Sequence, residues 1–129
     1  MLIPNTTDRD TGGFFAAAAE GRLVYRACDD CGAALHPPTA CCPHCGGENT
    51  SWHDAQGTGT LHSWTTIHQS VHPEYTAPYT LVLVTLDDTP EVRLMGRIDG
   101  EPELEPGMTM QVWFETVADG VVLPQWRPA

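Results

Sequence analysis

Cys28-Asp29-Asp30-Cys31-Gly32 and Cys42-Pro43-His44-Cys45-Gly46 state one short motif twice, with ten residues between the inner cysteines. A two-residue gap brings both sulfurs of a pair onto one metal ion. The glycine after each pair lets the backbone turn tightly, so that its amides face the thiolates. Two such pairs supply the four tetrahedral ligands of a structural Zn²⁺ and leave no open position for catalysis. Cys28, Cys31, Cys42 and Cys45 are therefore expected to hold one structural zinc in a rubredoxin-like zinc ribbon. Cys41 is the odd thiol: a three-residue gap to Cys45 does not make the usual knuckle, so it reads as a free thiol beside the site. His44 lies inside a knuckle and is expected to face solvent.

Upstream of the cysteines, residues 1–10 read as a loose polar arm. Asp10 or Thr11 is expected to cap a short helix through Phe14, Phe15 and the four alanines, with Gly21 as its left-handed stop. So short a helix is unstable alone, and its paired phenylalanines predict that it docks onto something, which suggests a surface completed by another chain. Short extended pieces are expected around 23–27 and 51–53, and Pro37-Pro38 argue against a regular element between the cysteine pairs.

Downstream, from Gly57, the pattern has period two. Leu61, Ser63, Thr65 and Ile67 alternate with His62, Trp64, Thr66 and His68; Leu94, Gly96 and Ile98 alternate with Arg93, Met95 and Arg97. Leu81–Leu86 is nearly all apolar, as in a strand covered on both faces. A third alternating run over 108–115 leads through the Asp119-Gly120 turn into a last strand ending near Trp126. Five short strands without a convincing helix suggest a small OB-fold barrel. The expected architecture is mainly β, divided into an arm and helix (1–21), a zinc ribbon (22–54) and a five-stranded OB barrel (55–129).

Composition narrows the function. The chain carries 17 acidic residues against 6 arginines and no lysine, a net charge of −11. Ribbons and OB barrels that bind nucleic acid neutralise phosphates with Lys and Arg, so a single-stranded nucleic-acid module is the disfavoured alternative and no nucleic-acid partner is expected. Phe14–Ala19 falls far short of the roughly 20 apolar residues of a membrane helix, and no secretory leader is recognisable. A cytoplasmic location without a membrane partner is the expectation, and it favours metal binding over disulfides for the cysteines.

A helix, a four-cysteine ribbon and an OB barrel in that order resemble the DUF35 family, OB-fold proteins associated with acyl-CoA enzymes. The resemblance is carried by Gly21-Arg22-Leu23, the two cysteine knuckles, Pro37-Pro38, Gly57-Thr58-Gly59-Thr60, His68, Pro78-Tyr79, Pro106-Gly107-Met108 and Val122-Leu123-Pro124. It extends over nearly the whole chain from about residue 12. It implies a thiolase-like catalytic subunit as partner in a hetero-oligomer, and an acyl-CoA substrate shared with that partner. The reaction it favours is an aldolase's retro-aldol cleavage of a steroid-like acyl-CoA side chain. An acyltransferase subunit or a stand-alone acyl-CoA-binding module is the alternative. Cys41 and the lack of lysine depart from the pattern, and the second leaves arginine as the only strong cation for CoA phosphates.

No self-contained active site is legible. The serines lack a Gly-x-Ser-x-Gly setting and no glycine-rich phosphate loop precedes a helix. Trp64 and His68, with His62 and His72, are candidates to line an acyl or pantetheine channel; a half-exposed strand face is the competing reading. Arg93 and Arg97 share a strand phase and are candidates for a CoA phosphate or a partner surface, against the plainer reading of a solvated barrel exterior. Glu101, Glu103 and Glu105 read as a solvent-facing turn.

Overall fold

The computed structural model describes residues 3–129, so positions 1 and 2 of the arm lie outside the described residues. The rest of the arm is tied down by its own side chains. The Asn5 carboxamide oxygen accepts from the Thr7 amide, and the Asp8 carboxylate accepts from the amides of Asp10 and Thr11. Thr11 stands at the N-cap of α1 (Gly12–Ala19) but its hydroxyl makes no capping bond; Asp8 serves the helix start instead. At the other end Gly21, at φ +76°, allows Arg22 N–H to reach the Ala17 carbonyl and Gly21 N–H to reach that of Ala18, a Schellman closure.

The chain itself supplies part of the surface that the helix needs. Ala17 and Ala18 are buried, and α1 packs on the last strand of the barrel and the first of the ribbon. Phe14 packs against the main hydrophobic cluster and lies 6.5 Å from the Trp52 ring. Gly13 sits so close to that indole that a Cβ would fall 2.2 Å from its Nε1.

The ribbon is a three-stranded antiparallel sheet in the order β2-β1-β3, with β1 Val24–Cys28, β2 Ala34–Leu35 and β3 Thr50–Asp54. The two-residue β2 corrects the expectation of no regular element between the cysteine pairs: it pairs with Arg26 and Ala27 and stops before Pro37, whose missing N–H would end the ladder. Leu23, just ahead of β1, is buried in the barrel's core, so ribbon and barrel share one hydrophobic cluster.

The barrel strands are β4 Thr58–Ile67, β5 Tyr79–Leu86, β6 Arg93–Asp99, β7 Thr109–Ala118 and β8 Val121–Pro128, in the order β6-β5-β4-β7-β8. That order is an OB topology, and the sheet is drawn round until β6 approaches β8. The seam closes at Gly96, where a Cβ would lie 2.8 Å from Trp126 Cδ1 and 3.0 Å from its backbone nitrogen, and at Arg97, whose amide donates to Gln125 Oε1 at 2.6 Å. Even-numbered residues of β5 from 80 to 86 face the core; there Val82, Val84 and Leu86 meet Leu61, Val92, Leu94, Met110 and Trp126. Each fully buried aliphatic side chain contributes about 1.5–3 kcal/mol.

The unbroken alternation expected for β4 is wrong. Leu61 pairs with Val84 but Ser63 pairs with Leu83, so a β-bulge at His62 inserts one residue. Leu61 faces the core, whereas Ser63, Thr65 and Ile67 turn to the outer face beside Leu83, Leu81 and Tyr79. Trp64 and Thr66 take over the inner phase, opposite Val82 and Thr80.

Candidate metal centre and apolar groove

Turns at the end of β1 and in the 42–46 loop present the cysteines. Gly32 and Gly46, both near φ +77°, donate their amides to the Cys28 and Cys42 carbonyls and so fold each pair into a knuckle. The sulfurs of Cys28, Cys31, Cys42 and Cys45 all lie within 4.8 Å of one another, with Cys28–Cys45 and Cys31–Cys42 at 3.6 Å. Four sulfurs about 2.3 Å from a tetrahedral zinc would stand roughly 3.8 Å apart, so the donor set fits that ion. Cys28 and Cys42 are buried, while Cys31 and Cys45 reach the surface.

Backbone amides prepare the thiolates: His44 N–H and Gly47 N–H each point at a sulfur, Cys42 Sγ and Cys45 Sγ, at 3.4 Å. Burial pushes the Cys42 thiol up, but the amides of Cys45 and His44 and the thiols of Cys31 and Cys45 outweigh it and lower it to about 7. The Gly47 amide draws Cys45 down, yet the Cys28 thiol beside it, burial and the other thiols push it up to about 12. Crowded sulfurs resist sharing negative charge, which is the repulsion a divalent cation removes. Cys41 is exposed and outside the tetrad, and His44 is exposed.

Beside the cysteines, Ser51 donates to Asp29 Oδ1 at 2.7 Å, and His53 Nε2 lies 3.1 Å from Ser51 Oγ and 3.3 Å from the same carboxylate oxygen. These are the residue types of a catalytic triad without its wiring. The orienting acid should hold the opposite ring nitrogen, and here both groups converge on one oxygen. The bond from Ser51 holds the Asp29 carboxyl below its ordinary range, with a smaller contribution from His53. This is a surface clasp between β1 and β3.

The candidate acyl-CoA residues are not brought together. Trp64 lies on the inner phase of β4, opposite Val82, and is 37% exposed. His68 follows β4 and pairs with Glu101 at 3.2 Å. Arg93 and Arg97 occupy the other face, cross-strand from Thr85 and Leu81. Arg97 is already engaged: it bonds Asp99 and, at 3.0 Å, Glu115.

What sequence reading missed is a groove of about 440 Å³ along the β6–β8 seam. Phe15 of α1, Val71 and Tyr75 of the β4–β5 loop, Leu81, Met95 and Leu123 supply apolar walls. Arg97, Glu115 and Gln125 form a closed polar network there, in which Gln125 Nε2 donates to Glu115 Oε1 at 3.1 Å. One signal in the sequence pointed to it: Met95 is a large apolar residue on the outward phase of β6, and it is 63% exposed.

Metal cluster, ribbon sheet and closed seam together define a zinc ribbon joined to an OB barrel. Residues 15–51 match the family of the ChsH2 rubredoxin-like zinc ribbon domain, and residues 52–115 that of the ChsH2 C-terminal OB-fold domain. The chain belongs to this ChsH2-type DUF35 family. It is 37% identical over 125 residues to a probable enoyl-CoA hydratase alpha subunit of Thermomonospora curvata; the match covers 95% of this chain and 38% of that longer protein. It is 32% identical to a DUF35 domain-containing scaffold protein of Pyrococcus furiosus, covering 79% of this chain and 78% of the relative. Among solved structures, a chain of the Ltp2-ChsH2(DUF35) aldolase superposes with a TM-score of 0.87 at 33% identity, covering 97% of this chain and 98% of the other. A DUF35-family protein of Sulfolobus solfataricus shares the fold, at 18% identity and a TM-score of 0.59 over 78% of this chain and 75% of that one. No helix among the described residues is long and apolar enough to cross a membrane.

Proposed function

We propose that this chain is the accessory zinc-ribbon/OB subunit of a thiolase-like acyl-CoA enzyme, an aldolase that cleaves the side chain of a steroid-like acyl-CoA by a retro-aldol reaction. The observation that carries the reading is the end-to-end superposition on a chain of the Ltp2-ChsH2(DUF35) aldolase. Two features of the site agree with it. The metal centre has four cysteine donors and no place for a substrate. The Asp29–Ser51–His53 clasp lacks the geometry to activate a nucleophile. The acid and base that break the carbon–carbon bond therefore belong to the partner, and the zinc holds this subunit's shape. Trp64, His68, Arg93 and Arg97 remain the proposed acyl-CoA or partner contacts, with Arg93 the freer cation because Arg97 is engaged by two carboxylates.

Co-expression with a thiolase-like enzyme and size-exclusion chromatography test the pairing. An acyl-CoA cleavage assay on each component and on both together tests the role. A co-eluting complex whose activity needs both chains is expected. Turnover by this chain alone, or a partner fully active without it, would refute the reading.

A further inference from the structure

The groove at the β6–β8 seam has no part in the metal centre, and its chemistry selects an occupant. We propose that it binds an uncharged hydrocarbon group, the tail of a small amphiphile. Its 440 Å³ lies within the roughly 300–1,000 Å³ of small-molecule sites, and its walls are aromatic and aliphatic with a few polar groups at one place. Those polar groups are already satisfied by one another: Arg97 holds Glu115 and Asp99, and Gln125 joins the Arg97 amide to the Glu115 carboxylate. An anionic head has to pull Arg97 from these partners, leaving Glu115 half-buried without its counter-charge, in a chain of net charge −11. A cationic head meets the Arg97 guanidinium. An extended peptide cannot simply add to the β6 edge, because the Arg97 amide in it is taken by Gln125 and Gly96 lies against Trp126. A hydrocarbon group needs none of these bonds broken and covers Val71 and Met95, which are 77% and 63% exposed.

In the proposed complex this group is the acyl tail, with the polyanionic CoA outside the groove; that identification rests on the accessory-subunit reading. The groove's preference is a property of the chain alone, so it can be tested without any partner. Zinc-loaded, ¹⁵N-labelled protein is titrated with 1-octanol and, separately, with octanoate at neutral pH, following the amides of Gly96, Arg97 and Gln125 and the Trp126 indole. Saturable shifts at these positions are expected with 1-octanol, and binding of octanoate weaker by about tenfold or more. Met95→Asp and Val71→Asp should each weaken octanol binding while leaving the zinc content intact. Both side chains are solvent-exposed, and Val71 lies in a loop outside the core, so the second variant keeps the test valid if the first misfolds. Equal affinity for octanoate, shifts scattered away from the groove, or octanol binding unchanged in the folded variants overturns the proposal. Signals that ignore octanol and move only on adding the catalytic subunit also overturn it, by making the groove a protein interface. Failure to form a complex, by contrast, bears only on the accessory-subunit reading.

Discussion

Replacing Gly13 with alanine sets two effects of opposite sign against each other. In a solvated helix the change stabilises by up to about 1 kcal/mol, because glycine has more backbone freedom to lose. Here the new Cβ would lie 2.2 Å from Trp52 Nε1 and within 2.9 Å of two further indole atoms, so the helix or the ring must move. The ring is not free to swing aside: the Arg26 guanidinium lies 5.2 Å from its centroid, Arg26 is fixed by hydrogen bonds to Thr50, and Phe14 packs against it. Overpacking of this kind costs roughly 1–3 kcal/mol, which exceeds the gain in propensity and leaves a net loss of about 1 kcal/mol. Urea unfolding at fixed, saturating zinc should show the midpoint falling by about 0.3–1 M. In a Trp52→Ala background the clash is gone, and the same Gly13→Ala change should stabilise. A double-mutant cycle would then give a coupling well above the scatter of independent sites. Stabilisation of the parent protein, or the same shift in both backgrounds, would refute the claim that helix α1 is seated against Trp52.

Metal analysis should find one zinc per chain, lost in Cys28→Ser and Cys45→Ser and kept in Cys41→Ser; loss only in the Cys41 variant would mean a different ligand register. Zinc affinity should fall as pH falls, because protons compete for Cys45, raised to about 12, and below about pH 7 also for Cys42. A zinc-indicator titration that is flat between about pH 8 and 5 would contradict this competition. An unstructured oligonucleotide should show no appreciable binding at about 150 mM salt, since 17 acids face 6 arginines. Micromolar affinity by fluorescence anisotropy would revive the nucleic-acid reading.

The metal centre was legible because its information is local: a two-residue gap and a glycine fix a knuckle whatever surrounds it. The existence of β5 was legible but its inner phase was not: Leu81–Leu86 is nearly all apolar and reads as covered on both faces, whereas only its even-numbered residues are buried and Leu81 and Leu83 are half-buried on the outer face. The bulge at His62 was hidden, because one inserted residue leaves the alternation of residue types intact while reversing the face of everything after it. For that reason His62 and Trp64 appeared to share a face. The engagement of Arg97 was hidden differently: Asp99 is two residues along the same strand, but Glu115 is reached only across the barrel seam. Likewise the paired phenylalanines signalled that α1 needs a partner surface, and nothing local revealed that the chain supplies much of it. The groove joins a helix, a loop and two strands far apart in sequence, so only the exposed Met95 hinted at it.

Helix α1 touches the ribbon through Trp52 and β1 and the barrel through β8, and the next residue after Phe14 is a wall of the groove. A loosening of the ribbon that moved α1 would move that wall with it. Zinc in the ribbon and an occupant of the groove would then be coupled through α1, although neither touches the residues that hold the other. Such coupling would be reciprocal: if zinc strengthens the hold of the groove on a molecule, that molecule strengthens the hold of the cysteines on zinc by the same factor.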